Sequence, residues 1–281
     1  MAAGTINGPN RNDPPAPSGH LSTDACRCLS EGCLRSAWGL FEGLSEVTAS
    51  VRAMTPTTSG GRDATTELRQ AHDVLAEPYA ERLATLLDEM PLERGILAAF
   101  CDLVRAAADA RGAGAPTVGD IGCGTGRLAA YVLNRGIGVR GLDLSPEMVR
   151  VARREQPGLD VQVGDVRALP FRDGELDGAI CWYSLMYLPP QDRPGAFAEL
   201  ARVVRPGGYV ATAWKVGDDS ARRGGESLGL GIGFDIWWLS QGELTRRFEE
   251  AGFAVAFWGG RPADPVEHQP QGYLIARRSS I

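Results

Sequence analysis

The period of the apolar positions changes along the chain, and the changes mark its organisation. Over residues 65–87 apolar side chains recur at three and four residues (Leu68, Ala71, Leu75, Tyr79, Leu83, Leu86, Leu87), the spacing of one helix face. Pro78 falls inside that pattern and is expected to break or restart the helix. Pro91 suits the first turn of a second helix that turns Ile96, Leu97, Phe100, Leu103 and Val104 inward, and residues 112–116 end it. From residue 118 onwards short apolar runs alternate with helical stretches. Strands are predicted at 118–121, 139–143, 159–163, 176–181 and 209–214, and two more at 253–258 and 271–277. Helices are predicted at 127–133, from Ser145-Pro146 (a cap serine and a first-position proline), at 191–204 and at 240–251. Such alternation is the sign of a doubly wound α/β fold with a mostly parallel sheet. The chain divides into three regions: an extension over 1–63, disordered or weakly helical; a helical cap over 64–111; and a core over 112–281. Within the core, residues 217–239 read as an irregular, glycine-rich insertion.

The first strand runs into Asp120-Ile121-Gly122-Cys123-Gly124-Thr125-Gly126. Glycines at alternate positions allow positive φ and let a ligand lie against bare backbone, and the helix behind offers unpaired N–H groups. Ligands of such folds bind at the carboxyl ends of the strands. A dinucleotide fingerprint needs a third glycine or alanine where this chain has Arg127, which argues against a nicotinamide-dependent oxidoreductase. The acid two residues before the first glycine repels a pyrophosphate and suits an ammonium group, such as the methionine end of S-adenosylmethionine. Asp143, 23 residues after Asp120 at the end of the next strand, can accept hydrogen bonds from ribose hydroxyls. Asp165 follows the third strand and can accept from an adenine amino group, while the Val166 amide can donate to a ring nitrogen.

Composition narrows the classes further. A net charge of −6 gives no reason to expect nucleic-acid phosphates as partners. No apolar run is long enough to span a bilayer, and the N-terminus shows no charged region followed by an apolar stretch, so no secretory signal is visible and a cytoplasmic protein is expected. Residues 1–19 carry too few large apolar groups to offset their ordering entropy. Residues 33–54 hold a weak amphipathic pattern (Leu34, Trp38, Phe41, Leu44), and Met54 resembles a natural start, so 1–53 reads as an upstream extension, native or introduced by start-codon choice. Cys26, Cys28 and Cys33 lack a fourth partner at a zinc spacing, so no metal site is expected and the six cysteines read as free thiols.

The segments DIGCGTG, GLDLSPEMVRVAR, GDVRALPF, DGAICWYSLMYLPP and LARVVRPGGYV stand in the order and spacing of the class I S-adenosylmethionine-dependent methyltransferases. The chain most resembles their small-molecule branch, which includes ubiquinone- and menaquinone-methylating enzymes and bacterial natural-product methyltransferases of secondary metabolism. The resemblance covers roughly residues 70–278. It implies a Rossmann-like, seven-stranded sheet with the last strand antiparallel. It also implies that Asp120, Gly122 and Gly124 line the methionine end, Asp143 and Leu144 hold the ribose, and Asp165 and Val166 hold the adenine. Trp182 would face the cofactor and Tyr79 would close over it. The chain departs from many relatives at Tyr187, where a histidine is common, and at His72, where an aromatic residue is common. General-base assignments therefore do not carry over.

Transfer of an activated methyl needs alignment in a dry site, and a base only when the acceptor must lose a proton. His72 and Tyr187 are the candidate catalytic residues; His268 and Glu267 are further candidate bases. Tyr187, Trp237, Trp238 and His268 are expected on the acceptor side, with Phe234 in the same aromatic wall, which suits a flat or apolar small molecule. The expected reaction moves the methyl group to an O, N or C atom. A non-catalytic S-adenosylmethionine-binding module or partner subunit is the alternative.

Overall fold

The computed structural model describes residues 63–264, 267 and 269–280. The expectations for residues 1–62 and for His268 lie outside the described residues.

Helix α1 (Ala64–Leu83) starts where the Asp63 side chain accepts the Thr65 amide. It does not break at Pro78, as the sequence predicts, but runs through it. The proline frees the carbonyl of Val74, four residues back. Val74 is 47% exposed, so water can take that carbonyl, while Leu75, Ala76 and Leu83 hold the helix to the core. After a 3₁₀ turn (Leu86–Glu89), α2 (Pro91–Ala110) opens with proline in its first turn. Its inward stripe of Ile96, Leu97, Phe100, Cys101 and Val104 packs on the sheet residues Val118, Ile180 and Ala211. Of the two helices, only α1 reaches over the strand ends.

The sheet comprises β1 (Thr117–Ile121), β2 (Gly138–Asp143), β3 (Asp160–Val163), β4 (Leu176–Trp182), β5 (Val204–Lys215), β8 (Phe253–Arg261) and β9 (Gln271–Arg278). Its order is β3-β2-β1-β4-β5-β9-β8. The first five strands pair in parallel, and β9 is antiparallel to both β5 and β8. β4 is buried along all seven residues, as expected for a central strand covered on both faces. The intervening helices are α3 (Ala129–Leu133), α4 (Pro146–Glu155), α5 (Arg193–Val203) and α6 (Gln241–Glu250). The stretch 205–208, between the helix expected to end at 204 and the strand expected from 209, belongs to β5, which enters through a register shift opposite Leu176/Gly178. The insertion 217–239 is more regular than its glycines suggest: β6 (Ala221–Gly224) and β7 (Phe234–Trp237) pair as a separate antiparallel ribbon.

Chain order reverses between β1 and β4: from β1 the sheet grows outward through β2 and β3, then resumes on its other side. A crevice opens at such a point, outside the carboxyl ends of the strands. Among the described residues no helix is long and apolar enough to cross a membrane.

Candidate functional site

A cavity of about 370 Å³ occupies this crevice. Its floor is the glycine loop after β1. Gly122 has φ +79°, and a Cβ there would stand 2.5 Å from the Ser184 Cβ, so the loop after β4 lies directly on the glycine backbone. Gly124 has φ +55°, and a Cβ on it would meet only the Met148 sulfur, at 4.0 Å, so its lack of a side chain serves the turn and the open space. The helix behind the loop is shorter than expected: α3 has five residues.

Asp143 ends β2, where its carboxylate accepts the Gly124 amide at 2.8 Å and the Ser145 amide at 2.9 Å. It thus ties the glycine loop to the start of α4, and each oxygen keeps a further lone pair for a ligand. Burial raises its pKa, against the two backbone donors. Asp120 is 2% exposed, and burial pushes its carboxyl up to about 7 even though the Arg127 guanidinium opposes the shift. The Oδ2 of Asp120 and the Nη1 of Arg127 are both buried without a hydrogen-bond partner, and both residues line the cavity. Asp165 and Val166 line it from the end of β3, Leu144 from the start of the α4 turn, and Trp182 from the end of β4. Arg167 engages Asp165 through both Nε (3.0 Å) and Nη2 (2.6 Å) and reaches Asp192 at 2.7 Å. Burial alone would raise the Asp165 carboxyl; the Arg167 hydrogen bonds overcome it and hold the group below its ordinary value.

The opposite wall comes from α1. His72, Tyr79 and Tyr187 all line the cavity. The His72 ring centroid stands 5.1 Å from that of Tyr187, 6.2 Å from that of Tyr79 and 5.3 Å from that of Phe234. The Nδ1 of His72 lies 2.9 Å from the Leu68 carbonyl, one turn back. A carbonyl only accepts, so Nδ1 carries the proton and Nε2 of the neutral ring is the acceptor. Tyr79 and Tyr187 hydrogen-bond each other, and burial raises both phenols, so both stay protonated. Trp237 lines the cavity but Trp238 does not. Adjacent strand residues point to opposite faces, and the Trp238 ring carries the Arg222 guanidinium at 4.8 Å instead. The expectation that both tryptophans share the acceptor wall is corrected accordingly. Glu267 is also away from the cavity, paired with Arg261.

α1 is fastened over the site from outside. Asp73 accepts from the Ser145 hydroxyl at 2.6 Å, beside the start of α4, and Glu77 bridges Arg150 and Arg154. Sequence reading missed two contributors. Arg127 was visible only as a failed fingerprint, although a cation after a glycine loop is itself a ligand signal. Arg167 stands two residues after the noted Asp165. Six aspartates and three arginines line the cavity, so its field favours a ligand with net positive charge. Among the described residues no group of three or more His, Cys, Asp or Glu side chains is placed to hold a metal ion.

Comparison with known proteins agrees with this architecture. Residues 118–208 match the family described as "Methyltransferase domain". A malonyl-[acyl-carrier protein] O-methyltransferase of Serratia marcescens is 43% identical over 91 residues, 32% of this chain and 35% of that protein. An uncharacterized methyltransferase of Mycobacterium tuberculosis is 32% identical over 120 residues, 42% of this chain and 48% of that protein. The chain thus spans about a third to a half of the length of the curated relatives it matches. The fold is that of a 1,6-didemethyltoxoflavin-N1-methyltransferase from Burkholderia thailandensis, solved with that substrate and S-adenosylhomocysteine: TM-score 0.54 and 20% identity over 83% of this chain and 98% of that one. An S-adenosylmethionine-dependent methyltransferase of Methanosarcina mazei aligns with TM-score 0.51 and 20% identity over 59% of this chain and 93% of that one. The stretch 118–208 thus matches a methyltransferase-domain family, and the sheet around it has the Rossmann-like fold of these structures.

Proposed function

We propose that the protein is an enzyme that transfers a methyl group from S-adenosylmethionine to an O, N or C atom of a small, natural-product-like molecule. The observation that carries this reading is the pair of buried, unpartnered atoms beside the glycine loop, Asp120 Oδ2 and Arg127 Nη1. An unpaired buried polar atom costs about 1–3 kcal/mol, more when charged, so a ligand that pairs it is strongly favoured. An acid and a cation lining the same cavity suit the ammonium and carboxylate of an amino acid. The residues present therefore fit S-adenosylmethionine: Asp120, Arg127 and the glycine loop for the methionine end, Asp143 and Leu144 for the ribose, Asp165 and Val166 for the adenine.

When bound, the cofactor supplies a methyl already activated on a sulfonium sulfur. The chain's own residues then have three tasks. Trp182 and Tyr79 shut out water. Tyr187 and Trp237 hold a flat acceptor, with the Tyr187 hydroxyl as orienting donor; Phe234, expected in the same wall, does not line the cavity and instead packs behind His72 and Tyr187. His72 takes the proton at Nε2 when the acceptor atom carries one. Alignment in a dry site contributes the larger share of the rate, and the base about a hundredfold or more. The acceptor is read as small because aromatic rings surround the space beside His72.

Calorimetry with S-adenosylhomocysteine, NAD and NADP tests the cofactor. Binding of a nicotinamide nucleotide with no response to S-adenosylhomocysteine would refute the proposal. A screen of flat heteroaromatic and phenolic metabolites for a cofactor-dependent mass gain of one methyl then identifies the acceptor class.

A further inference from the structure

Glu93 belongs to none of the motifs above. It sits in the first turn of α2, 1% exposed, on the side of the sheet away from α1. Its Oε2 accepts from the Trp182 indole N–H at 3.0 Å, and its Oε1 accepts from the Tyr183 hydroxyl at 2.9 Å and the Tyr273 hydroxyl at 3.0 Å. The Tyr273 hydroxyl in turn accepts from Arg261 Nε at 3.1 Å. Two of the three donors on Glu93 are consecutive residues at the carboxyl end of β4, and both line the cavity.

The second of them is strained. Tyr183 has φ +57°, one of two described non-glycine residues with positive φ. A bulky residue there costs of order 1–3 kcal/mol and persists only where its surroundings hold it. Next in the chain is Ser184, whose hydroxyl donates to the Ile121 carbonyl at 2.7 Å and whose Cβ fills the space that Gly122 leaves open. The left-handed turn at Tyr183 therefore sets the loop after β4 down on the glycine loop.

We infer that Glu93 is a positioning residue for the cofactor site: by anchoring the Trp182 indole and the Tyr183 hydroxyl from behind the sheet, it holds Tyr183 left-handed and so keeps residues 182–184 seated on the glycine loop. It touches no ligand and acts through Tyr183. The inference builds on the methyltransferase reading for the identity of the ligand but on geometry alone for the coupling.

Glu93→Gln keeps the volume but replaces one carboxylate oxygen by an NH2 group and removes the charge. With the amide oxygen on the tyrosines, the hydrogen bond of the Trp182 indole N–H is left unmade; with it on Trp182, the Tyr183 and Tyr273 hydroxyls must accept instead of donating. The charge-assisted anchor is weakened in either orientation. The expected result is that S-adenosylhomocysteine binds about tenfold more weakly by calorimetry, with the KM for the acceptor unchanged. Tyr183→Gly removes the strain, because glycine adopts positive φ without help. In that background Glu93→Gln is expected to change the dissociation constant less than twofold. A Glu93→Gln variant with a lowered melting temperature and an unchanged dissociation constant would make Glu93 merely structural and overturn the inference. Equal, additive effects in the two backgrounds would overturn it too. Crystal structures of the wild type and of Glu93→Gln decide the coupling without any ligand. Departure of Tyr183 from positive φ, with Ser184 lifted off Gly122, supports the inference even if S-adenosylhomocysteine proves not to bind. A Tyr183 unmoved in the variant refutes it even if S-adenosylhomocysteine binds the wild type well.

Discussion

Asp120 shows most directly how a single residue trades stability for ligand binding. Burial raises its carboxyl from 3.8 to about 7, with Arg127 opposing. In the unfolded chain it ionises near its ordinary value, so between about pH 4 and pH 7 the folded state holds the extra proton. Stability of the ligand-free protein therefore falls as pH rises through that window and levels off above it. At about 1.4 kcal/mol per unit, the penalty at pH 8 is on the order of 4 kcal/mol. Asp120→Asn should raise the ligand-free melting temperature at pH 8, give no gain at pH 4, and weaken S-adenosylhomocysteine binding at least tenfold. A variant no more stable than wild type at pH 8 would contradict the buried charge. His72 makes a second residue-scale test. If its Nε2 receives the acceptor proton, His72→Ala should lower turnover about a hundredfold, with cofactor affinity held within a factor of two. Unchanged turnover would leave alignment as the whole mechanism.

Among elements, the wall beside His72 depends on a buried ion pair. Arg193, the first residue of α5, is 3% exposed and pairs with Glu243 of α6 at 3.1 Å. It also donates to the Leu188 carbonyl at 3.1 Å and lies 5.9 Å from the Trp237 ring centroid. One guanidinium thus joins the loop after β4, the β6–β7 ribbon and the start of α6. Removing one partner of a buried pair strands the other charge and typically costs about 3–5 kcal/mol, whereas an apolar pair of similar volume can be neutral. Glu243→Ala should be destabilised by about that much in urea titrations, and Arg193→Met with Glu243→Leu by clearly less. A Glu243→Ala variant as stable as wild type would show that the pair does not hold the wall. The ties of α1 are of another kind. Glu77 and its arginine partners are about half exposed, so each bridge contributes little and weakens with salt.

Across the whole molecule, one cavity is lined by α1, by four strand ends and by the β6–β7 ribbon, so a ligand in it couples parts that do not otherwise form one layer. At a hundredfold excess over its dissociation constant a ligand adds about 2.7 kcal/mol to stability. For a chain of this size S-adenosylhomocysteine should raise the melting temperature by roughly 5–10 °C. Amide exchange should slow in α1, in the glycine loop and in β7 together. Slowing in the glycine loop alone would mean that α1 and the ribbon move independently of the site.

Much of this was legible before folding because it is written in local spacing. The periods of two and 3.6 residues mark strands and helices, and a glycine loop needs its glycines wherever it stands. Acids placed at or just past the carboxyl ends of successive parallel strands must gather at one edge of the sheet, which is why Asp120, Asp143 and Asp165 could be named together. Other features depend on partners far away in the chain. Pro78 leaves α1 intact because packing on either side outweighs one lost hydrogen bond. Trp237 rather than Trp238 faces the cavity because strand pairing in β6–β7 chose the face. Glu93 finds its partners 89, 90 and 180 residues away. No periodicity within a segment encodes contacts at such separations. Only the tertiary structure, by closing the sheet between α1 and α2, decides that this carboxyl group stands behind the site.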